Sequence, residues 1–149
     1  MSQGMVKTFL IFALTLIGSL PLGMVVALLR KSRFAPVRGF IKGFISIMRG
    51  TPLMLQLLFV YFALPMVGIR LPDVAAALLA VTMNYAAYFA EIFRAGIQAI
   101  PRGQYEAAKA LGLKHWQMMR HVIFPQVLRV VLPPISNETI NLVKDTSLI

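Results

Sequence analysis

Twenty-two consecutive residues, Thr8 to Leu29, carry no charge. A helix needs roughly 20 apolar residues to cross the hydrocarbon core of a bilayer, so this run is expected to be a spanning helix. It is too long for an ordinary signal-peptide core and lacks a convincing small-residue cleavage site, so it is expected to stay in the mature chain. Thr8, Thr15 and Ser19 fall near one helical face with Gly18 and Gly23 close by, which suits tight helix packing. A chain that is 58% hydrophobic and only 13% charged, with mean hydropathy +0.77, has the composition of an integral membrane protein. Cysteine is absent, which excludes disulfides and thiolate metal sites.

Two more charge-free runs follow, Thr51 to Ile69 and Val74 to Ala90, separated by a Leu-Pro turn between Arg70 and Asp73. Thr51 is expected to cap the helix it precedes, with Pro52 in the first turn. Gln56 is either an interhelical hydrogen-bonding group or part of a polar path. Asn84, Tyr88 and Glu91 repeat at helical spacing, and polar groups at that depth should face the bundle rather than lipid. Glu91 and Arg94 are expected to form a local ion pair. The last apolar run, Val122 to Val143, is interrupted by Arg129, Pro133, Pro134 and Glu138, and its adjacent prolines are expected to break or kink it. Beyond them Asn137, Glu138, Asn141, Lys144 and Asp145 share about a third of the helical wheel. That stripe either lines a path for a zwitterion, Lys144 meeting a carboxylate and Glu138 an ammonium, or forms an ion-pair network between subunits. The expected spans are approximately 8–29, 51–69, 74–93 and 122–144, in one domain covering 1–149.

Charge assigns the sides. Of fifteen Lys and Arg, six lie between Arg30 and Arg49 and five between Arg94 and Arg120. The positive-inside rule puts both segments in the cytoplasm and the amino terminus outside. In the first segment Phe34, Val37, Phe40, Ile41, Phe44 and Ile45 recur at helical spacing, so it is expected to lie on the inner surface against membrane lipid, chiefly as an anchor, with binding of anionic lipid heads as the alternative. A net charge of +10 does not point to nucleic acid, because the cations are distributed by membrane side.

The stretch from Glu91 to Gln126 is too charged to cross as one helix and must lie outside the bilayer, with a loop at 95–121. Gln104 to Leu111 reads as a short helix after Pro101 and Gly103. Glu106 is expected in its first turn, where the dipole favours a carboxylate by roughly 0.3 to 1 kcal/mol. Gly112 ends or bends it, and Leu113 to Phe124 forms a second amphipathic piece before Pro125. A slim, bent elbow on a basic membrane face suits docking into another protein.

Glu106, Ala107, Ala108, Gly112, Val122, Phe124 and Pro125 stand at the spacing E-A-A, three residues, Gly, nine residues, aliphatic, one residue, apolar, Pro. This resembles the EAA loop of the permease subunits of bacterial ABC importers. The segments RGTPLMLQLLFVYFALP and AYFAEIFRAGIQAIPRGQYEAA are similar to permeases of the polar amino-acid uptake family. The resemblance implies an all-α integral membrane protein, a bundle of transmembrane helices of ABC importer permease type with a cytoplasmic coupling helix, in the bacterial inner membrane. It implies two ABC ATP-binding subunits, a second permease subunit (the same chain or a relative) and an extracytoplasmic solute-binding protein as partners. Tyr105, Glu106, Ala107, Ala108, Leu111, Gly112 and Trp116 are then the residues that couple to the ATPase. Asn84, Tyr88, Asn137, Glu138, Asn141 and Lys144 are the candidate substrate path. The family's usual fifth span would follow LVKDTSLI.

No P-loop pattern occurs, and His115 and His121, six apart, do not form a ligand pair. No catalytic residue, cofactor or metal site is expected, and ATP hydrolysis is assigned to the partner. A reading from another class is a membrane anchor or channel subunit that uses the elbow only for assembly.

Overall fold

The computed structural model describes residues 2–147, and all regular structure among them is helical. The chain runs through α1 (Ser2–Leu29), α2 (Ala35–Gly50), α3 (Leu53–Met66), α4 (Asp73–Gln98), α5 (Arg102–Ala110), α6 (His115–Met118), a π-helical turn (Met119–Ile123) and α7 (Phe124–Ser147). Residues 148 and 149, where the lead into a further helix was expected, lie outside the described residues. By length and composition α1 and α4 can each cross a membrane, whereas α2 and α3, bent by 109° at their junction, pass that test only when taken together. At 14 residues α3 is only about 21 Å long, less than a hydrocarbon core of roughly 30 Å.

Helix α4 is the hub, packed on α1, α2, α3 and α7. Ala76, Ala77, Ala80, Ala86, Ala87 and Ala90 are all buried on it, so neighbouring backbones come close. On α1 the facing residues are Ile11, Thr15, Ser19, Gly23 and Ala27, one every four residues. A Cβ on Gly23 would lie 2.8 Å from Phe89 Cβ and 3.1 Å from the Ala86 carbonyl oxygen, so only hydrogen fits there. Gly96 plays the same part between α4 and α7, where a Cβ would meet Val131 Cγ1 at 2.3 Å. Small residues replace the hydrophobic drive that is weak between helices in lipid.

Both left-handed glycines close helices in the same way. Gly68 (φ 89°) follows α3 and Gly112 (φ 75°) follows α5. At the second, the Gly112 N–H donates to the Lys109 carbonyl and the Leu113 N–H to the Ala108 carbonyl, the two bonds of a Schellman end. At the first, Gly68 and Ile69 donate to Pro65 and Leu64.

The helices depart from the sequence reading in five places. Helix α1 begins at Ser2 and takes in Lys7, and α4 runs on past Glu91 and Arg94 to Gln98, because charge sets where a helix leaves the membrane, not where its backbone bonds stop. Thr51 does not cap α3: its hydroxyl donates back to the Ile47 carbonyl (2.7 Å), and Pro52 is the N-cap. Pro133 and Pro134 do not break α7, which continues through them; they delete two local bonds, and the turns on either side together with packing on α4 carry the helix across. Helix α5 starts at Arg102, so Glu106 lies beyond its first turn and gains little from the dipole. Finally, the second piece of the elbow does not stop at Pro125. It widens into the π-helical turn, in which Phe124 N–H reaches the Met119 carbonyl, and passes into α7.

Candidate functional site

Two polar stripes, one on α4 and one on α7, are separated by some fifty residues of chain, and the fold brings them face to face. Asn84, Tyr85 and Tyr88 from α4 and Glu138, Asn141, Lys144 and Asp145 from α7 line a cavity of about 270 Å³, closed on another side by Thr51, Pro52 and Leu53. That volume is near the lower end of small-molecule pockets, roughly 300 Å³. Five of the six residues expected along a substrate path line it, and Asn137 does not.

The cavity is held rather than merely collected. Asn84, 4% exposed, donates through Nδ2 to the Gln56 side-chain carbonyl (2.9 Å) and the Met48 backbone carbonyl (3.2 Å). Gln56 in turn donates to Thr51 Oγ1 (2.7 Å) and the Met48 carbonyl (3.1 Å). Gln56 is therefore a structural hydrogen-bonding group that fixes the α2–α3 corner against α4, and Asn84 serves the same network from the cavity wall. Tyr85 was not singled out from the sequence; its hydroxyl donates to Asp145 Oδ2 at 2.5 Å, joining α4 to α7. A tyrosine among buried alanines gives no sequence signal for a partner 60 residues away.

At one end of the cavity the Arg49 guanidinium lies 5.6 Å from the centre of the Tyr88 ring, within cation–π range. Arg49 also approaches Glu91 (3.6 Å), which binds Arg94 (2.8 Å) and Arg30 as well. The Glu91–Arg94 pair is present as expected. Its extension to Arg30 and Arg49 was not anticipated, because those residues come from the ends of α1 and α2.

The elbow divides its residues between two faces. Ala108 is 2% exposed and packs into the core, and Tyr105 is half-buried. Gln104 accepts a hydrogen bond from Gln126 on α7 (3.0 Å), which ties the start of α5 to the helix that carries half of the cavity. Leu111 and Trp116, by contrast, are 80% and 57% exposed, and Glu106, Ala107 and Gly112 face outward beside them. Glu106 has only a long contact to Arg102, 3.8 Å between two exposed side chains, worth little. An outward apolar pair beside a carboxylate that is only weakly engaged is a surface suited to a partner. No cluster of residues able to hold a metal occurs among the described residues.

Residues 19–149 match the family described as binding-protein-dependent transport system inner membrane component. The chain belongs to this family. Among curated relatives, the chain is 41% identical over 146 residues to the probable amino-acid ABC transporter permease protein YckA of Bacillus subtilis, covering 98% of this chain and 65% of YckA. It is also 41% identical over 148 residues to the arginine transport system permease protein ArtQ of the same organism, covering 99% of this chain and 68% of ArtQ. The chain thus spans about two thirds of the length of these permeases. A crystal structure of an amino acid ABC transporter with histidines superposes with TM-score 0.87 at 38% identity, over 96% of this chain and 67% of that one. The MetNI methionine ABC transporter, at 23% identity and TM-score 0.66, shares the fold.

Proposed function

We propose that this permease forms half of the membrane path of an ATP-driven importer for a polar amino acid, in the inner membrane of a bacterium. The observation that carries the reading is the cavity in which the polar stripes of α4 and α7 meet inside an otherwise apolar bundle. Its charges suit a zwitterion: Lys144 for the carboxylate and Glu138 for the ammonium. Asp145 adds a second acid that Tyr85 orients. The relatives named as amino-acid permeases support this class of cargo.

A second permease subunit faces this one across the path, and an extracytoplasmic binding protein delivers the solute. The amino terminus lies outside and the two basic segments inside, so the elbow projects into the cytoplasm. Each elbow docks into one of two ATP-binding subunits through Leu111, Trp116, Glu106, Ala107 and Gly112, while Ala108 and Tyr105 hold it to the bundle. Closure of the ATPase pair pulls the elbow. Because α6, the π-helical turn and α7 are continuous, that movement reaches Glu138 and Asn141 directly. Nucleotide biases the bundle only to the extent that the docked complex prefers one state.

Purification of the complex in mild detergent, with an ATPase assay and uptake in vesicles, tests the reading. An ATP-binding subunit is expected to co-purify with the wild type. Gly112→Val forces a β-branched residue to φ 75°, which costs more than the roughly 1 to 2 kcal/mol of an ordinary left-handed residue. It should lower uptake per ATP hydrolysed by at least about tenfold while the permease still folds, because an added Cβ there would meet nothing within 4 Å beyond the adjoining residues. Passive conductance without ATP, or normal coupling in the variant, would favour an anchor or channel subunit instead. Glu138→Ala and Asn141→Ala should weaken uptake of the transported amino acid with assembly intact. Impaired assembly with unchanged affinity would assign the α7 stripe to subunit contact.

A further inference from the structure

A second cavity, separate from the polar path, lies where the apolar runs of α1 and α4 end. It has a volume of about 580 Å³ and is lined by Arg30, Lys42, Ser46, Arg49 and Glu91. Arg30 is the first charge after the uncharged stretch of α1, and Glu91 the first after that of α4. The coincidence of both charge boundaries in one cavity sets it at the level where hydrocarbon gives way to headgroups. Helix α2 agrees with that depth. Arg38, Lys42, Ser46 and Arg49 follow one another at four, four and three residues on one face, while Phe40 and Ile47, both exposed, occupy the opposite one, as in a helix lying in the interface plane.

The charge there is far from balanced. Counting Arg94, four cations surround the single carboxylate of Glu91. Both Glu91 oxygens are already engaged by guanidinium groups, Oε1 by Arg30 and Arg94 and Oε2 by Arg94. Lys42 makes no ion pair among the described residues, and Arg49 reaches Glu91 only at 3.6 Å. Glu91 therefore acts as the post that aims Arg30 and Arg49, leaving Lys42, Arg49 and the Ser46 hydroxyl to receive a second anion. At this depth the available anion is a phosphodiester.

We propose that this cavity binds the phosphate of an anionic phospholipid headgroup. Guanidinium forks match phosphate oxygens in pairs, the ammonium adds a point charge, and the apolar face of α2 lies against the acyl chains of the surrounding leaflet. The two cavities share no lining residue. Arg49 touches the polar path through the Tyr88 ring, so Lys42, which makes no such contact among the described residues, is the position that separates lipid binding from the transported solute.

The protein in nanodiscs of phosphatidylcholine doped with phosphatidylglycerol, released and weighed by native mass spectrometry, gives the retained lipid directly. The wild type is expected to retain phosphatidylglycerol in preference to phosphatidylcholine. Lys42→Gln, which breaks no ion pair among the described residues, should weaken that retention about fivefold, the size of one headgroup contact. Adding Arg49→Gln should weaken it again by a similar factor. Arg33→Gln, exposed and outside the cavity, should leave it unchanged and controls for net charge. Inorganic phosphate is the competing probe: binding of phosphate with no preference for phosphatidylglycerol would overturn the lipid assignment. Equal retention in wild type and Lys42→Gln, or an equal loss in Arg33→Gln, would overturn the site.

Discussion

Gly23→Val is expected to abolish the close approach of α1 to α4 and to leave little folded protein in the membrane. The added Cβ meets Phe89 Cβ at 2.8 Å, the Ala86 oxygen at 3.1 Å and the Ala90 nitrogen at 3.2 Å. All three belong to the α4 backbone or are fixed directly to it, so no rotamer change relieves them. The helices must separate, and the contacts along Thr15, Ser19 and Ala27 loosen with them. Overpacking of this kind costs about 1 to 3 kcal/mol, with alanine at the low end and valine at or above the high end. Thermal unfolding in detergent reads it. Gly39→Ala is the control: it lies within α2 with nothing inside 4 Å, and it should stabilise slightly through helix propensity. An unchanged midpoint for Gly23→Val would show that α1 and α4 are not held at this distance.

The second large effect is expected at Glu91. Replacing it by alanine leaves Arg30, Arg49 and Arg94 facing one another without a counter-charge, at the point where α1, α2 and α4 converge. The Glu91 side chain is 14% exposed and those of Arg30 and Arg94 are largely covered, while Arg49 is 47% exposed. Losing one partner of a buried pair costs about 3 to 5 kcal/mol, and the partial exposure here puts the expected loss at or below the low end of that range. Glu91→Gln keeps acceptor atoms for the guanidinium groups and should lose less. A double-mutant cycle with Arg30→Gln separates the pair from its surroundings: additive losses would mean that Arg30 and Glu91 do not interact, whereas coupling above about 1 kcal/mol is expected. Arg94 should couple as well, being close in both sequence and space.

These two sites differ in how far they can be read from sequence. The small-residue face of α1 is written in one dimension, because residues four apart stack on a helix whatever it packs against. The elbow was legible for a similar reason. Gly112 has to carry a conformation other residues resist, and its Schellman bonds follow from local geometry. Which face of α5 turns outward was not legible, since a run of alanines is equally compatible with either face. The bonding of Gln104 to Gln126 and the burial of Ala108 decide it.

Hydropathy and charge were enough to mark the apolar segments and the two polar stripes, because transfer of charge into hydrocarbon is costly wherever the chain goes. Four spans were expected from them, and the described helices include two that pass as spans singly and one bent pair that passes only together. They could not decide that the stripes share a cavity, that Tyr85 reaches Asp145, or that Arg30 and Arg49 converge on Glu91. Each of those pairings joins residues far apart in the chain. Helical periodicity gives the face a residue occupies but not the helix opposite it. That choice belongs to the crossing of α1, α4 and α7, which the absence of a Cβ at Gly23 and Gly96 brings close enough for their polar groups to meet.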